Sequence, residues 1–172
     1  MKTKRLLSFF IAVTAWLVCG TAFTQPPAEL HFVAHLAGEN EVPPNDSRAA
    51  GQAVLKLNEA ETELSYKLIA ANIENVVASH IHLGAADVNG PVVAFLAGPF
   101  PAAGGRTDGV LAEGTVTAAN LIGPLAGMTL PDLATAMRTG GAYVNVHTND
   151  GIAPTNTGPG DFPGGEIRDQ IR

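Results

Sequence analysis

The sequence contains little cysteine and little tryptophan, with one residue of each among 172. Cys19 and Trp16 both lie close to the N-terminus, and the remaining chain has neither residue type. An intrachain disulfide is therefore excluded, so stability must come from burial, hydrogen bonds and any metal that binds. The sequence also has no Gly-rich phosphate-binding loop with a Lys-Ser/Thr signature and no pattern typical of a Ser-His-Asp triad. These absences disfavour nucleotide-dependent enzymes and serine hydrolases.

Acidic residues outnumber basic ones, with sixteen Asp and Glu against ten Lys and Arg in the full chain. Three of the basic residues, Lys2, Lys4 and Arg5, lie at the N-terminus, so the rest of the chain has seven basic and sixteen acidic residues, or a charge of −9. An acidic surface disfavours nucleic acid and anionic membranes as partners and is compatible with the collection of cations.

The N-terminal segment is typical of a secretory signal peptide. The basic residues precede an apolar run over residues 6–18, and the small residues Gly20 and Ala22 follow. We expect a signal peptide over residues 1–22, with residue 24 as the alternative end. The apolar run is shorter than the roughly 20 residues that a membrane-spanning helix needs. The mature protein is therefore expected to be secreted or periplasmic, with no stable membrane insertion after cleavage.

The rest of the chain is predicted to form a short linker over residues 23–29 and one domain over residues 30–172. Alternating apolar and polar residues, bounded by Gly, Pro and Asn, are typical of strands. The predicted strands cover residues 30–37, 51–57, 63–71, 76–83, 91–96, 110–117, 142–147 and 165–171. Residues 98–109 and 149–164 are predicted loops. A helix is predicted over residues 129–138, because Thr129 and Asp132 have the spacing of a capping box and two glycines follow. This pattern predicts a mainly β, antiparallel sandwich or barrel with one short helix.

Two predicted strands carry histidines in matching phase. Successive side chains of a strand point to opposite faces, so His80 and His82 share one face while Ile81 and Leu83 share the other. In the strand over residues 142–147, the same alternation places His147 on the face opposite the valines. If the two strands are neighbours, three of the five histidines of the chain converge on one patch.

Three converging imidazoles suit a transition metal ion. His80 and His82 are about 6.6 Å apart along the strand, so both rings can lean toward one ion at roughly 2.0–2.1 Å. With His147 they predict a three-histidine surface site for a single copper ion, with zinc as the alternative. A metal-free domain whose histidines donate hydrogen bonds to loop carbonyls would give the same pattern.

Four polar residues are candidates for groups that orient the ligand imidazoles. They are Glu41, Asn145, Glu166 and Arg168. Glu41 precedes a rigid Pro43-Pro44 turn and would equally cap a loop or pair with Arg48. Glu166 and Arg168 share a strand face and would equally form a surface ion pair of small energetic value. Asn145 lies on the histidine face together with Tyr143.

The other two histidines lie on the first predicted strand. His31 and His35 share a face but are about 13 Å apart along an extended strand, too far to share one ion. We expect both to be exposed polar residues, and one of them becomes a fourth ligand only if that strand lies beside the site.

Five motifs occur in the order found in the CHRD domain, which is named after chordin. They are Asn40-Glu41-Val42-Pro43-Pro44, Ser79-His80-Ile81-His82-Leu83-Gly84, Gly90-Pro91-Val92-Val93, Tyr143-Val144-Asn145-Val146-His147-Thr148 and Gly164-Gly165-Glu166-Ile167-Arg168. The resemblance covers residues 30–171, nearly the whole predicted domain. It implies an immunoglobulin-like, Greek-key β-sandwich in a secreted protein, and it implies a fold more than an activity.

A second resemblance concerns the histidine strands alone. Residues 80–84 are similar to the copper-binding His-x-His segment of Cu/Zn superoxide dismutases, and residues 144–147 are similar to the strand that supplies a further copper ligand there. That family places an arginine beside the copper, near the position that Arg168 would take. The sequence departs from the family because residues 85–105 contain no histidine and the disulfide is absent. A complete dinuclear site is therefore not expected.

The sequence leaves three hypotheses for function. The first is a CHRD-type domain that binds copper or zinc and acts in metal handling or as a redox site. The second is a metal-free extracellular module with a structural or protein-binding role. The third is an enzyme of the dismutase type, which the missing ligands disfavour. The expected partners are accordingly a metal ion or an extracellular protein.

Overall fold

The structure is a computed structural model, and it describes residues 30–172. The predicted signal peptide and the linker over residues 23–29 lie outside the described residues. Eight strands and one α-helix form the domain. They are β1 (His31–Ala37), β2 (Ala50–Leu57), β3 (Leu64–Glu74), β4 (Val76–Leu83), β5 (Val92–Ala97), β6 (Arg106–Val116), α1 (Leu130–Arg138), β7 (Ala142–Thr148) and β8 (Ile167–Gln170). No helix in this part of the chain is both long and apolar enough to cross a membrane.

All eight strands belong to one antiparallel sheet in the order β5-β4-β7-β8-β1-β2-β3-β6. The sheet curls into a nearly closed barrel in which β5 and β6, the two ends of that order, approach each other. The Tyr66 hydroxyl of β3, the strand next to β6, donates a hydrogen bond to the Leu96 carbonyl of the opposite edge strand β5 at 2.7 Å. The predicted mainly β, antiparallel class with one helix is confirmed, and the barrel-like closure is broadly consistent with a sandwich.

The strand order is not that of a simple meander. β1, β2 and β3 are consecutive neighbours, but β7 lies between β4 and β8, and β6 lies beside β3. Non-consecutive neighbours of this kind are typical of Greek-key folds. This order matters for the site because it places β4 and β7 side by side although 58 residues separate the last residue of one from the first of the other.

Two strands are longer than the sequence pattern predicts. β3 continues to Glu74 rather than residue 71, and β6 begins at Arg106 rather than residue 110, inside the predicted loop over residues 98–109. The two extensions pair with each other, since Ile73 lies opposite Thr107 and Glu74 opposite Arg106 after a register shift. Local sequence at Arg106–Gly109 indicates a loop, and only the cross-strand hydrogen bonds make it a strand.

The interior of the barrel is apolar and is lined by alternate residues of each strand. On β1 the side chains of Phe32, Ala34 and Leu36 are buried, whereas His31 and His35 are exposed. On β4 and β7 the inward residues include Ile81 and Val144, each 0% exposed. The predicted face of every one of these residues is confirmed.

Helix α1 packs against this interior through one face. Its residues Leu130, Leu133, Ala134 and Met137 are buried in the same core. The Asp132 carboxylate accepts hydrogen bonds from the Thr129 amide at 2.8 Å and the Thr129 hydroxyl at 2.6 Å, which forms the predicted capping box. The helix therefore begins where the sequence predicts and covers part of the core.

Replacing Leu133 by alanine should lower the free energy of unfolding by about 2–5 kcal/mol. Leu133 is 0% exposed, so truncation loses its burial and leaves a cavity. Chemical denaturation followed by far-UV circular dichroism measures the change. Val110→Ala is the control, because Val110 is 51% exposed and its truncation should cost well under 1 kcal/mol. Equal losses in the two variants would contradict this account of the core.

Candidate metal centre

The three predicted histidines meet on the outer face of the barrel. β4 and β7 are antiparallel neighbours, and their register pairs His80 with Asn145 and His82 with Tyr143. The ring centroids are 5.5 Å apart for His80 and His82, 4.9 Å for His80 and His147, and 5.8 Å for His82 and His147. One ring nitrogen from each histidine lies within 4.8 Å of the other two. Within residues 30–172 this is the only group of three or more His, Cys, Asp or Glu side chains arranged closely enough for one ion.

Backbone carbonyls determine which nitrogen of two of these rings is free. The Nδ1 atom of His82 lies 2.9 Å from the Gly90 carbonyl oxygen, and Nδ1 of His147 lies 3.0 Å from that of Pro163. A carbonyl only accepts, so each Nδ1 carries the proton and each Nε2 presents a lone pair. The Nε2 atoms of His82 and His147 are buried and have no hydrogen-bond partner among the described residues. Both ring nitrogens of His80 are in the same situation.

The surroundings favour neutral imidazoles. Desolvation, followed by the charges of His147 and His82, lowers the pKa of His80 to about 4. Burial is also the main cause of the lowered pKa of His82 and of His147, although the hydrogen bonds to Gly90 and Pro163 act in the opposite direction. The rings are therefore neutral at pH 7, which is the form that binds metal.

The nitrogens are close to the spacing that a shared ion requires. Two nitrogens bound to one copper or zinc ion at 2.0–2.1 Å are at most about 4.2 Å apart. The separations here extend to 4.8 Å, so rotations that move each ring by a fraction of an ångström would bring all three nitrogens into range. The arrangement can accordingly supply three nitrogen ligands to one ion.

The histidines are more buried than a surface site implies. His82 is 6% exposed, and His80 and His147 are half-buried. Their covering comes from loops, because the segment after β4 brings Gly90 to His82 and the segment before β8 brings Pro163 to His147. Phe95 of β5 lies edge-on to His80, with ring centroids 4.4 Å apart.

Tyr143 and Arg168 lie directly beside the His82 ring. Tyr143 stacks on His82 with ring centroids 4.8 Å apart and an angle of 12° between the planes. The Arg168 guanidinium lies 3.7 Å from the centroid of the same tyrosine. Arg168 also donates to the Asn89 side chain and to three carbonyl oxygens of the loop after β4, those of residues 85, 86 and 88, at 3.0–3.3 Å.

The alternative interpretation of Glu166 and Arg168, a surface ion pair, is wrong. The two side chains are 0% and 1% exposed, and within residues 30–172 they form no ion pair with each other. Glu166 instead accepts hydrogen bonds from the Ser47 hydroxyl at 2.5 Å, the Thr148 hydroxyl at 2.6 Å and the Gly160 amide at 3.0 Å. Both residues hold loops over the sheet, and neither contributes a ligand atom to the histidine group.

Glu41 and Asn145 meet at Gly165. A Cβ atom added to Gly165 would lie 2.6 Å from the Asn145 side-chain oxygen and 2.7 Å from Oε1 of Glu41, and the φ of +138° is one that other residues rarely adopt, which together favour glycine. Glu41 is 4% exposed, and in the described part of the chain it has no ion pair with Arg48. Burial raises its pKa to about 7, although Arg168 acts to lower it. Asn145 is 2% exposed and lies opposite His80 on the neighbouring strand.

His31 and His35 are exposed on β1, as the sequence predicts.

The backbone groups that orient the histidine rings are not visible in the sequence. The acceptor carbonyls of Gly90 and Pro163 were missed, because every residue carries a carbonyl and none is visible as a side-chain signal. The available hint was the glycine of the Gly90-Pro91 motif, since a Cβ atom at Gly90 would lie 1.5 Å from the Leu83 carbonyl oxygen. The glycine therefore indicates that two segments of backbone pass close together, but it does not indicate that the Gly90 carbonyl accepts a hydrogen bond from His82.

Comparison with known proteins gives one result. The family model described as the CHRD domain matches residues 32–171. This range includes all eight strands except the first residue of β1, together with the whole histidine group. Among curated proteins, no significant match was found.

Replacing Glu41 by glutamine should stabilise the metal-free protein at alkaline pH. Its pKa is raised from 4.5 to about 7 on folding, so the stability it contributes is complete below pH 4.5 and is lost as the pH rises through 7. We expect Glu41→Gln to exceed the wild type at about pH 8 by on the order of 3 kcal/mol, with the difference vanishing near pH 4.

Urea denaturation at a series of pH values in the presence of a chelator measures this difference. Glu39→Gln is the matched control, since Glu39 lies two residues away and is exposed. A Glu41→Gln difference that is constant across this pH range would contradict the raised pKa.

Proposed function

The chain belongs to the CHRD domain family, and we propose that it is an extracellular or periplasmic module that binds one copper ion through His80, His82 and His147. Zinc is the alternative ion. The family match supports an extracytoplasmic module, and the signal peptide expected over residues 1–22 agrees with it. The proposed role is metal handling, or a redox site if the ion cycles between oxidation states.

One observation carries this proposal. Buried nitrogen atoms of three neutral imidazoles lie within 4.8 Å of one another and have no hydrogen-bond partner among the described residues. Burial of a polar atom without a partner costs about 1–3 kcal/mol, so three such atoms in one place need a compensating ligand. What they lack is an electron-pair acceptor, and a metal ion fills that need for all three at once.

The donor set favours copper and zinc over other metals. The group consists of imidazole nitrogens without a carboxylate or thiolate, and imidazole suits copper and zinc whereas Mg²⁺ and Ca²⁺ prefer oxygen ligands. Copper(II) stands above zinc in the usual order of affinity for such sites. Three protein ligands also leave a coordination position for water or an exogenous ligand.

The geometry around the ring nitrogens supports binding in a second way. Ligand histidines usually donate their other N–H group to a carbonyl or carboxylate, which fixes the tautomer and the direction of the lone pair. The contacts of His82 with Gly90 and of His147 with Pro163 have this form. His80 has no such contact in the described residues, so it can adjust its ring to the ion.

The metal-free structural module is the second candidate. The observation that favours it is the same pair of carbonyl contacts, which would hold two loops on the sheet without any ion. A dismutase-type activity remains the weakest candidate, because the described chain offers no second ligand cluster beside the histidine group. A superoxide assay on copper-loaded protein, compared with His80→Ala, tests that activity.

Removing one ligand should abolish tight metal binding. We expect the wild type to bind one equivalent of copper and His82→Ala to bind at least tenfold more weakly, because two imidazoles replace three. Isothermal titration of tag-free protein with Cu(II) and Zn(II) measures both affinities. His35→Ala is the matched control, since His35 is exposed and lies on β1, which β8 separates from β7. The proposal is overturned if the wild type shows no sub-millimolar binding, or if His35→Ala loses as much affinity as His82→Ala.

Metal should also stabilise the fold. An ion present at 100 times its dissociation constant adds about 2.7 kcal/mol to the free energy of unfolding, so a chelator should lower the melting temperature of metal-loaded protein by several degrees. In His147→Ala the chelator should have little effect. If chelator changes neither protein, and His147→Ala is destabilised to the same extent with and without it, the metal-free module is the better description.

A further inference from the structure

We infer that Tyr143 and Arg168 act together as a clamp on the loop over residues 84–91 and thereby position His82 for metal binding. They are positioning residues and contribute no ligand atom. The part of the inference that concerns metal affinity rests on the proposed function. Its structural part, the control of the His82 tautomer, stands without a metal.

The first element of the clamp is a chain of two hydrogen bonds through Gly90. The Gly90 amide donates to the Tyr143 hydroxyl at 3.0 Å, and the carbonyl of the same residue accepts from Nδ1 of His82 at 2.9 Å. The position of the carbonyl therefore depends on the tyrosine hydroxyl. Because Nδ1 donates its proton to that carbonyl in a hydrogen bond, Nε2 is unprotonated and its lone pair is available on the side of the other two histidines.

The second element is Arg168, which holds the rest of the loop. Its guanidinium donates to the Asn89 side chain and to the carbonyls of Ala85, Ala86 and Val88 at 3.0–3.3 Å. The rigid plane places Nη1 at the Asn89 side chain and Nη2 at the three carbonyls, and the single nitrogen of an ammonium group cannot occupy both positions. Arg168 is 1% exposed, so these contacts replace water entirely.

Stacking joins the two elements. Tyr143 is on β7, between β4 with His82 and β8 with Arg168. Its ring stacks on the imidazole, with 4.8 Å between centroids, and the guanidinium lies 3.7 Å from the tyrosine centroid. A shift of the arginine would therefore move both the loop and the tyrosine against which His82 rests.

The loop needs this clamp because it has little regular structure of its own. Residues 84–91 contain no helix or strand, and Gly90 has no side chain to anchor it. A Cβ atom at Gly90 would lie 1.5 Å from the Leu83 carbonyl oxygen, so the main chain passes in direct contact with the end of β4. The Leu83 amide donates to the Pro91 carbonyl at 3.0 Å and the Asn89 side chain donates to the Val42 carbonyl at 2.6 Å. Tyr143 and Arg168 add to these restraints and act directly on Gly90 and on residues 85–89.

His147 provides an internal comparison. Its Nδ1 contacts the carbonyl of Pro163, in the loop before β8, and neither Tyr143 nor Arg168 has a described hydrogen bond to that loop. Loss of the clamp should thus affect His82 and leave the His147 tautomer unchanged. General destabilisation would affect both rings.

The test uses the two tyrosines of the chain. Tyr143→Phe removes the hydroxyl but keeps the stacked ring, so the variant is expected to fold. Tyr66→Phe is the matched control, because its hydroxyl donates to the Leu96 carbonyl and has no described hydrogen bond to His82 or to the loop over residues 84–91. Long-range ¹H–¹⁵N NMR on metal-free protein reads the tautomer of each histidine. We expect His82 to be protonated at Nδ1 in wild type and Tyr66→Phe, and to become a mixture of tautomers in Tyr143→Phe.

Metal affinity is the second readout. Tyr143→Phe should bind copper 10- to 100-fold more weakly than wild type and Tyr66→Phe, the usual effect of losing a group that orients a ligand. Arg168→Lys, which keeps the charge but not the fork of donors, should show the same tautomer change. A folded Tyr143→Phe with unchanged His82 tautomer and affinity within twofold of wild type would overturn the inference. If the tautomer changes but no form binds metal, the clamp is supported and the proposed function fails.

Discussion

A buried polar layer on the outer face of β4, β7 and β8 is the constraint on which the rest of this structure depends. The inner face of these strands packs in an ordinary apolar core, but the outer face carries imidazoles, a tyrosine, a guanidinium and carboxylates that are largely removed from water. Polar groups are tolerated in such a place only when partners replace the lost water. The segments after β1, after β4 and before β8 supply most of those partners with backbone amides and carbonyls, and their paths follow from that requirement.

Two charged residues organise these loops without pairing with each other. Arg168 donates hydrogen bonds to four acceptors in the segment after β4, whereas Glu166 accepts hydrogen bonds from Ser47, Thr148 and Gly160. Each charge is thus dispersed over several hydrogen bonds, which makes a buried ion more tolerable than a single contact would. The atoms left over are chiefly acceptors, including the lone pairs of the three imidazoles. A layer with an excess of acceptors is suited to a cation, and this links the architecture of the loops to the proposed metal.

Much of the fold and part of the candidate site follow from local patterns. The alternation of β4 and β7 correctly places all three histidines on one face, and the capping box correctly begins the helix at Thr129. The errors arise where a residue's state depends on a distant segment. Arg106 is in a strand because Glu74 pairs with it, and Glu166 and Arg168 are buried because loops cover a face that alternation alone describes as open.

The sequence by itself determined which residues face the core, where the helix begins and which imidazoles share a face, since these properties depend on periods of two and 3.6 residues along one segment. Only the tertiary structure decided that His147 lies beside His80 and His82, which nitrogen of His82 and of His147 is free, and that burial lowers the pKa of these rings and raises that of Glu41. Those properties depend on strand register and on loops that return from far along the chain. Backbone carbonyls, the groups that orient the rings, are present at every position, so no sequence pattern distinguishes the two that matter.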